Sequence, residues 1–236
     1  MVDSFIFADL PDEVIGFNYP LPRLAKALRG DDRIKIVAMG SSSTAGRADV
    51  VPFPYWLEMY LRAKKNNPKI DVLNRGIGGQ EADKELLRFE ADIFLEAPTL
   101  VIWQVGTNAV FHKEDYNVDV IAGKIATGLD LLRTHPIDVM LIDPQYVPAM
   151  LLDGKAELSE RMVALISEVA DRANVNLFHR WALMRHWHVH NNISFERMLD
   201  PTDPDRLHQS DASTQRLSRG LCDTIIKAAD AAAAST

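Results

Sequence analysis

The sequence predicts an α/β protein, a three-layer α/β/α sandwich around a central, mainly five-stranded parallel sheet. Three observations carry this. Short apolar runs recur along the chain without polar alternation, which marks strands buried on both faces. Stretches with helical spacing lie between them. Three of four polar clusters directly follow or terminate an apolar run, and ligand sites of parallel sheets lie beyond the carboxyl ends of the strands.

The strand runs are residues 34–39, 70–73, 100–105 and 139–142, with a weaker one at 175–178. After the first, Trp56, Met59 and Tyr60 with the basic tail from Arg62 predict a helix ending near Asn66, with Trp56, Met59 and Tyr60 as its buried face. Ile121, Ile125, Leu129 and Leu132 predict a second helix, and Leu158, Met162, Leu165 and Val169 a third. Leu217, Leu221 and Ile225 predict a fourth, capped by Ser210 or Asp211.

The 236 residues are 47% apolar, enough for one core, and no repeat or linker divides them apart from an alanine-rich end. One domain over residues 1–236 is expected, with an N-terminal extension to about residue 32 and a catalytic core over about 33–230. The formal net charge of −7 leaves no excess of cations for phosphates, so nucleic acid is not an expected partner. Cys222 is the single cysteine, which rules out an intramolecular disulfide and cysteine-cluster metal sites. No run approaches the roughly 18–20 apolar residues of a membrane span. The acidic start MVDSFIFADLPDEV lacks the pattern of a secretory signal. The chain reads as soluble and cytoplasmic, with export open if a leader was removed; its oligomeric state is unreadable.

The polar clusters are GSSSTAG from Gly40, NRGIGGQ from Asn74, VGTN from Val105 and DPTDPDRLHQSD from Asp200. A parallel sheet brings the first three to one edge, and the fourth can reach the same edge. Acyl transfer from an ester needs a hydroxyl, a base, an orienter for the base and donors for the developing oxyanion. A serine of the first cluster, His208, Asp205, the Gly79 amide and the Asn108 carboxamide could fill these places.

Serine early in the chain, with acid and base in one late loop, is not the order of an α/β-hydrolase. The arrangement resembles the SGNH, or GDSL-type, hydrolase superfamily. Its block Gly-Asp-Ser-x-Thr-x-Gly lines up with Gly40-Ser41-Ser42-Ser43-Thr44-Ala45-Gly46, its Asn-x-Gly-x-x-Gly with Asn74 to Gly79, its Gly-x-Asn with Gly106-Thr107-Asn108 and its Asp-x-x-His with Asp205-Arg206-Leu207-His208. The resemblance spans about residues 34 to 230. It implies a flavodoxin-like fold, Ser42 as nucleophile, His208 as base, Asp205 as orienter, and Ser42, Gly79 and Asn108 as the oxyanion hole. It implies no metal or organic cofactor. Ser41 stands where the family usually has aspartate, Ala109 follows Asn108 where aspartate is common, and Gln209 replaces a common proline. Altered loop bracing is the expected consequence.

Blander readings stand beside these. A Gly/Ser stretch after a strand is usually a turn. Asn108 alone would be a cap, Gly79 a turn glycine, and His208 a surface residue. Asp203 competes with Asp205, which only its three-residue offset from His208 favours. Phe53 and Tyr55, just past the nucleophile loop, are open candidates for substrate binding. In HWHVH, His186, His188 and His190 would share a face on an extended segment and could hold zinc with Asp200 or Glu196; on a helix only His186 and His190 are neighbours. A packing role for this aromatic-rich segment is favoured.

The expected activity is that of a serine esterase on carboxylic esters, with short acyl groups such as O-acetyl on carbohydrate. The alternatives are an acyltransferase, lipase or thioesterase on the same scaffold, or a non-catalytic binding module.

Overall fold

In a computed structural model that describes residues 9–47 and 49–234, five strands form one parallel sheet in the order β2-β1-β3-β4-β5. They are β1 (Ile34–Gly40), β2 (Ile70–Gly76), β3 (Leu100–Gln104), β4 (Asp138–Ile142) and β5 (Asn176–Phe178). This is the flavodoxin-like order, in which the chain reverses its direction of travel across the sheet between β1 and β3. Every residue of β3 is buried, which is why its sequence LVIWQ carries no alternation.

β2 runs three residues beyond its apolar part. Ala38, Met39 and Gly40 of β1 pair with Asn74, Arg75 and Gly76, so an edge strand carries polar residues up to the sheet's end. Gly76 is needed there because a Cβ at this position would overlap the backbone of Ala45 in the turn after β1.

The helices cover both faces. From the N-terminus, α1 (Asp12–Ile15), α2 (Pro22–Leu28), α3 (Ser42–Ala45), α4 (Phe53–Lys65), α5 (Ala82–Glu85), α6 (Thr107–Phe111) and α7 (Val118–Arg133) are followed by α8 (Pro148–Leu151), α9 (Ala156–Ala173), α10 (Arg180–Val189), α11 (Phe195–Met198) and α12 (Asp211–Ala234). The long helices α4 and α12 pack together, as do α7 and α9. Ser210 caps α12, its Oγ accepting from Ser213 N at 3.3 Å. Asn66, in the left-handed conformation, ends α4 where the sequence placed its end.

The buried face of α4 is not the expected one. Phe53, Leu57 and Leu61, four residues apart, face the core, while Met59 is exposed and Trp56 and Tyr60 stack half-buried with ring centroids 6.3 Å apart. The described part of the N-terminal segment is built into the body of the protein: Leu21 and Leu24 are buried, and Leu21 N donates to Ala228 O of α12. The first eight residues of the expected extension, and the last two of the alanine-rich end, lie outside the described residues.

HWHVH is helical, within α10, so His186 and His190 are neighbours and His188 points elsewhere. His188 stacks on Phe195, centroids 4.0 Å apart, and its Nδ1 meets Ile193 O at 2.9 Å. Among the described residues no three metal-ligating side chains converge, and no helix is long and apolar enough to cross a membrane.

Candidate active site

The site forms where the strand order reverses. β1 ends at Gly40 and the chain enters the single-turn helix α3, with Ser42 as its first residue. A Cβ at Gly40 would collide with Thr44 Oγ1, so the tight entry demands glycine. Gln104, the last residue of β3, holds the turn from below. Its Oε1 accepts from Ser41 N at 3.2 Å, from Ser41 Oγ at 3.0 Å and from Thr44 Oγ1 at 3.4 Å. Ser41 thus braces the turn as a buried hydroxyl. Asn74 holds it from the side, donating from Nδ2 to Ala45 O at 3.2 Å.

The imidazole of His208 reaches this turn. Its Nε2 lies 2.9 Å from Ser42 Oγ. Its Nδ1 lies 2.8 Å from Oδ2 of Asp203, and this corrects the expectation of Asp205. Asp203 Oδ2 also accepts from the amides of Leu207 and His208 at 2.9 and 2.8 Å, and its Oδ1 pairs with Arg47. The Asp203 side chain is inaccessible to solvent. Burial pushes its pKa up, but the hydrogen bonds from His208 and Leu207 outweigh it and hold the group below the usual carboxylate range. Asp205 is exposed, its amide donating to Asp203 Oδ1 at 3.3 Å. The reason is the turn before the histidine: Arg206 is left-handed, with φ 53°, and the chain folds Asp203 beneath the ring.

The Gly79 loop runs alongside. A Cβ at Gly78 would lie 3.8 Å from Ser42 Cβ, in ordinary contact. Gly79 has φ 74° and open space where a side chain would stand. Among the described residues no acceptor meets the amide of Ser42 or of Gly79. Asn108, in the first turn of α6, joins through this loop, its Nδ2 donating to Gln80 O at 2.7 Å. The carboxamide has a second hydrogen to give.

A small cleft beside Ser42 and His208 is lined by Ser43, Arg47, Val50, Pro52, Gln209 and Thr214. Neither aromatic candidate for substrate binding is among these residues. Phe53 is buried in the core, and Tyr55 lies exposed on α4, edge-on to Trp56. The helix begins at Phe53, so its first turn sends that ring inward.

Several participants have no motif. Gln104 Nε2 donates to Thr107 Oγ1, which donates to Gln145 Oε1, and Gln145 Nε2 donates to Leu207 O, at 3.2, 3.1 and 3.2 Å. This buried chain ties the Ser42 turn to the His208 loop. Their one sequence signal is Gln104 itself, a polar residue closing an apolar run. Behind α6 lie two buried carboxyl groups, Glu81 and Glu85. Burial, and then the neighbouring Glu81 charge, push Glu85 up to about 8.

Glu85 binds its proton more tightly in the folded state than in the unfolded one. Between about pH 4.5 and 8 the native state holds the extra proton, so stability falls as pH rises through this window, by up to about 1.4 kcal/mol per pH unit for one group. Urea unfolding at intervals from pH 5 to 9 should show this decline, and Glu85→Gln should make it shallower, leaving the part due to Asp143, which burial raises to about 7. A stability that rises with pH would contradict the assignment.

A family model described as "Non-GDSL lipase-like family" matches residues 7–231. The chain belongs to this family. Its description is in keeping with Ser41 where the Gly-Asp-Ser block has aspartate. Among solved structures, a catalytic mutant of the acetylxylan esterase Axe2 from Geobacillus stearothermophilus superposes with a TM-score of 0.71 at 19% identity, covering 84% of this chain and 96% of that one. LAE5, described as an alpha/beta hydrolase enzyme from the metagenome of Lake Arreo, Spain, gives 0.68 at 18% identity, over 85% and 97%. At such identities the likeness is one of fold. The aspartate and histidine described as catalytic in Axe2 stand three positions apart, whereas here the aspartate on the imidazole is five residues before it. The uncharacterized lipoprotein YqeF of Bacillus subtilis (strain 168) is 35% identical over 77 residues, and the match spans 31% of the length of each protein.

Proposed function

We propose that this member of the Non-GDSL lipase-like family is a serine esterase on an SGNH-type domain, hydrolysing carboxylic esters of short acyl chains. The observation that carries the reading is the relay from Ser42 Oγ through His208 to Asp203, with contacts of 2.9 and 2.8 Å. Ser42 Oγ attacks the ester carbonyl carbon as its proton passes to His208 Nε2. Asp203 fixes the Nδ1–H tautomer and stabilises the imidazolium. The tetrahedral oxyanion is held by the Ser42 and Gly79 amides and the Asn108 carboxamide. The C–O bond to the alcohol then breaks, His208 returns the proton to the leaving oxygen, and water repeats the sequence on the acyl-enzyme.

The narrowness of the cleft beside Ser42 and His208, walled by Val50 and Pro52, supports a short acyl group. Acetylated carbohydrate is the substrate class proposed, in line with the acetylxylan esterase that shares the fold. A panel of p-nitrophenyl esters of increasing chain length, run beside acetylated xylo-oligosaccharides, tests this. The expected result is fastest turnover of acetyl esters and release of acetate from the sugars. Preference for long acyl chains would overturn the short-chain assignment.

Asn108→Ala should lower kcat on p-nitrophenyl acetate by about 10²–10³ with KM little changed, because an oxyanion donor acts in the transition state. A loss confined to KM would remove Asn108 from the oxyanion hole.

A further inference from the structure

Glu81 is the buried carboxylate with the most backbone partners outside the relay, and it stands between the two loops assigned to the oxyanion. Its side chain leaves the chain two residues after Gly79. Oε1 accepts from Ala82 N at 3.0 Å and from Gly106 N at 3.0 Å, and Oε2 accepts from Ala109 N at 2.9 Å. Gly106 and Ala109 flank Asn108 on both sides in the first turn of α6. Asn108 returns the tie, donating to Gln80 O at 2.7 Å. Two cross-links therefore join the Gly79–Glu81 segment to the turn bearing Asn108, and one is made by the carboxyl oxygens of Glu81 accepting from buried amides of that turn.

We propose that Glu81 is a positioning residue for the oxyanion hole, holding the α6 turn so that the Asn108 carboxamide faces the reacting carbonyl. This rests on the esterase reading and on Asn108 as a donor. Glu81 touches no reacting atom; it acts through Asn108. A group that only caps α6 would contribute to stability and leave the chemistry of Asn108 independent of it.

The two roles separate in a double-mutant cycle. Glu81→Gln keeps the shape and one acceptor oxygen, but it sets an NH2 group against one of the three amides. Measured on p-nitrophenyl acetate, Glu81→Gln should lower kcat at least tenfold with KM within about twofold. Introduced into Asn108→Ala, it should cost less than about twofold more, because the group it positions is already gone. Glu81→Asp, which keeps both carboxyl oxygens and shortens the reach, should show a smaller kcat loss with the same non-additivity. It decides the question if Glu81→Gln loses its far-ultraviolet circular dichroism. Losses that multiply in full with Asn108→Ala, or a Glu81→Gln protein with unaltered kcat, overturn the assignment. Ser42→Ala separates the two failures: an active Ser42→Ala protein sinks the esterase reading itself, whereas an inactive one with multiplying Glu81 and Asn108 losses sinks only the role of Glu81.

Discussion

Ser42→Ala is expected to lower kcat on p-nitrophenyl acetate by about 10⁵–10⁶ while leaving the fold in place. The substitution removes the oxygen 2.9 Å from His208 Nε2 and leaves the backbone amide of residue 42 where it was. Ser42 sits half-buried at the mouth of a cleft, so no cavity opens in the core and the melting temperature should barely move. Covalent labelling by a fluorophosphonate, read by intact mass, should disappear with the activity. The neighbouring serines are poor substitutes. Ser41 Oγ is buried and committed to Gln104, and Ser43 has no imidazole beside it among the described contacts. Turnover that survives Ser42→Ala would end the present reading.

The second large effect distinguishes two aspartates. Asp203→Asn should reduce kcat/KM by about 10⁴, since an amide at this place favours the wrong imidazole tautomer and cannot stabilise the imidazolium. Asp205→Asn should stay within about twofold of the unaltered enzyme, because that side chain is exposed and away from the ring. Asp203→Asn also loses a charge from the pair with Arg47 and from three backbone amides, so a stability loss of about 1–3 kcal/mol should accompany the kinetic one. Kinetics and melting curves of the two variants side by side settle the matter. An inactive Asp205→Asn with an active Asp203→Asn would restore the spacing rule.

The sheet was legible because strands buried on both faces leave a distinctive apolar record, and all five were visible at nearly their observed bounds. Only the end of β2 was hidden, since Asn74, Arg75 and Gly76 are polar or small and pair at an exposed edge. Ser42 and His208, whose side chains meet at 2.9 Å, were legible as motifs. Asp203 was not, because which of two nearby carboxylates lies under the ring depends on the left-handed turn at Arg206. Phe53 was misread because aromatic character drew attention away from its four-residue spacing to Leu57 and Leu61. Gln104, Gln145 and Glu81 act through small sets of buried hydrogen bonds, and these leave no period in a sequence.

The distance along the chain between Ser42 and His208, 166 positions, has a meaning for the ribosome as well as for the site. Every strand of the sheet lies between them in sequence or begins just before them. A nascent polypeptide therefore carries its serine for most of synthesis with no imidazole to arm it. On the esterase reading, reactivity toward esters would arise only once the loop bearing His208 reaches the Ser42 turn, with α12 still to follow it.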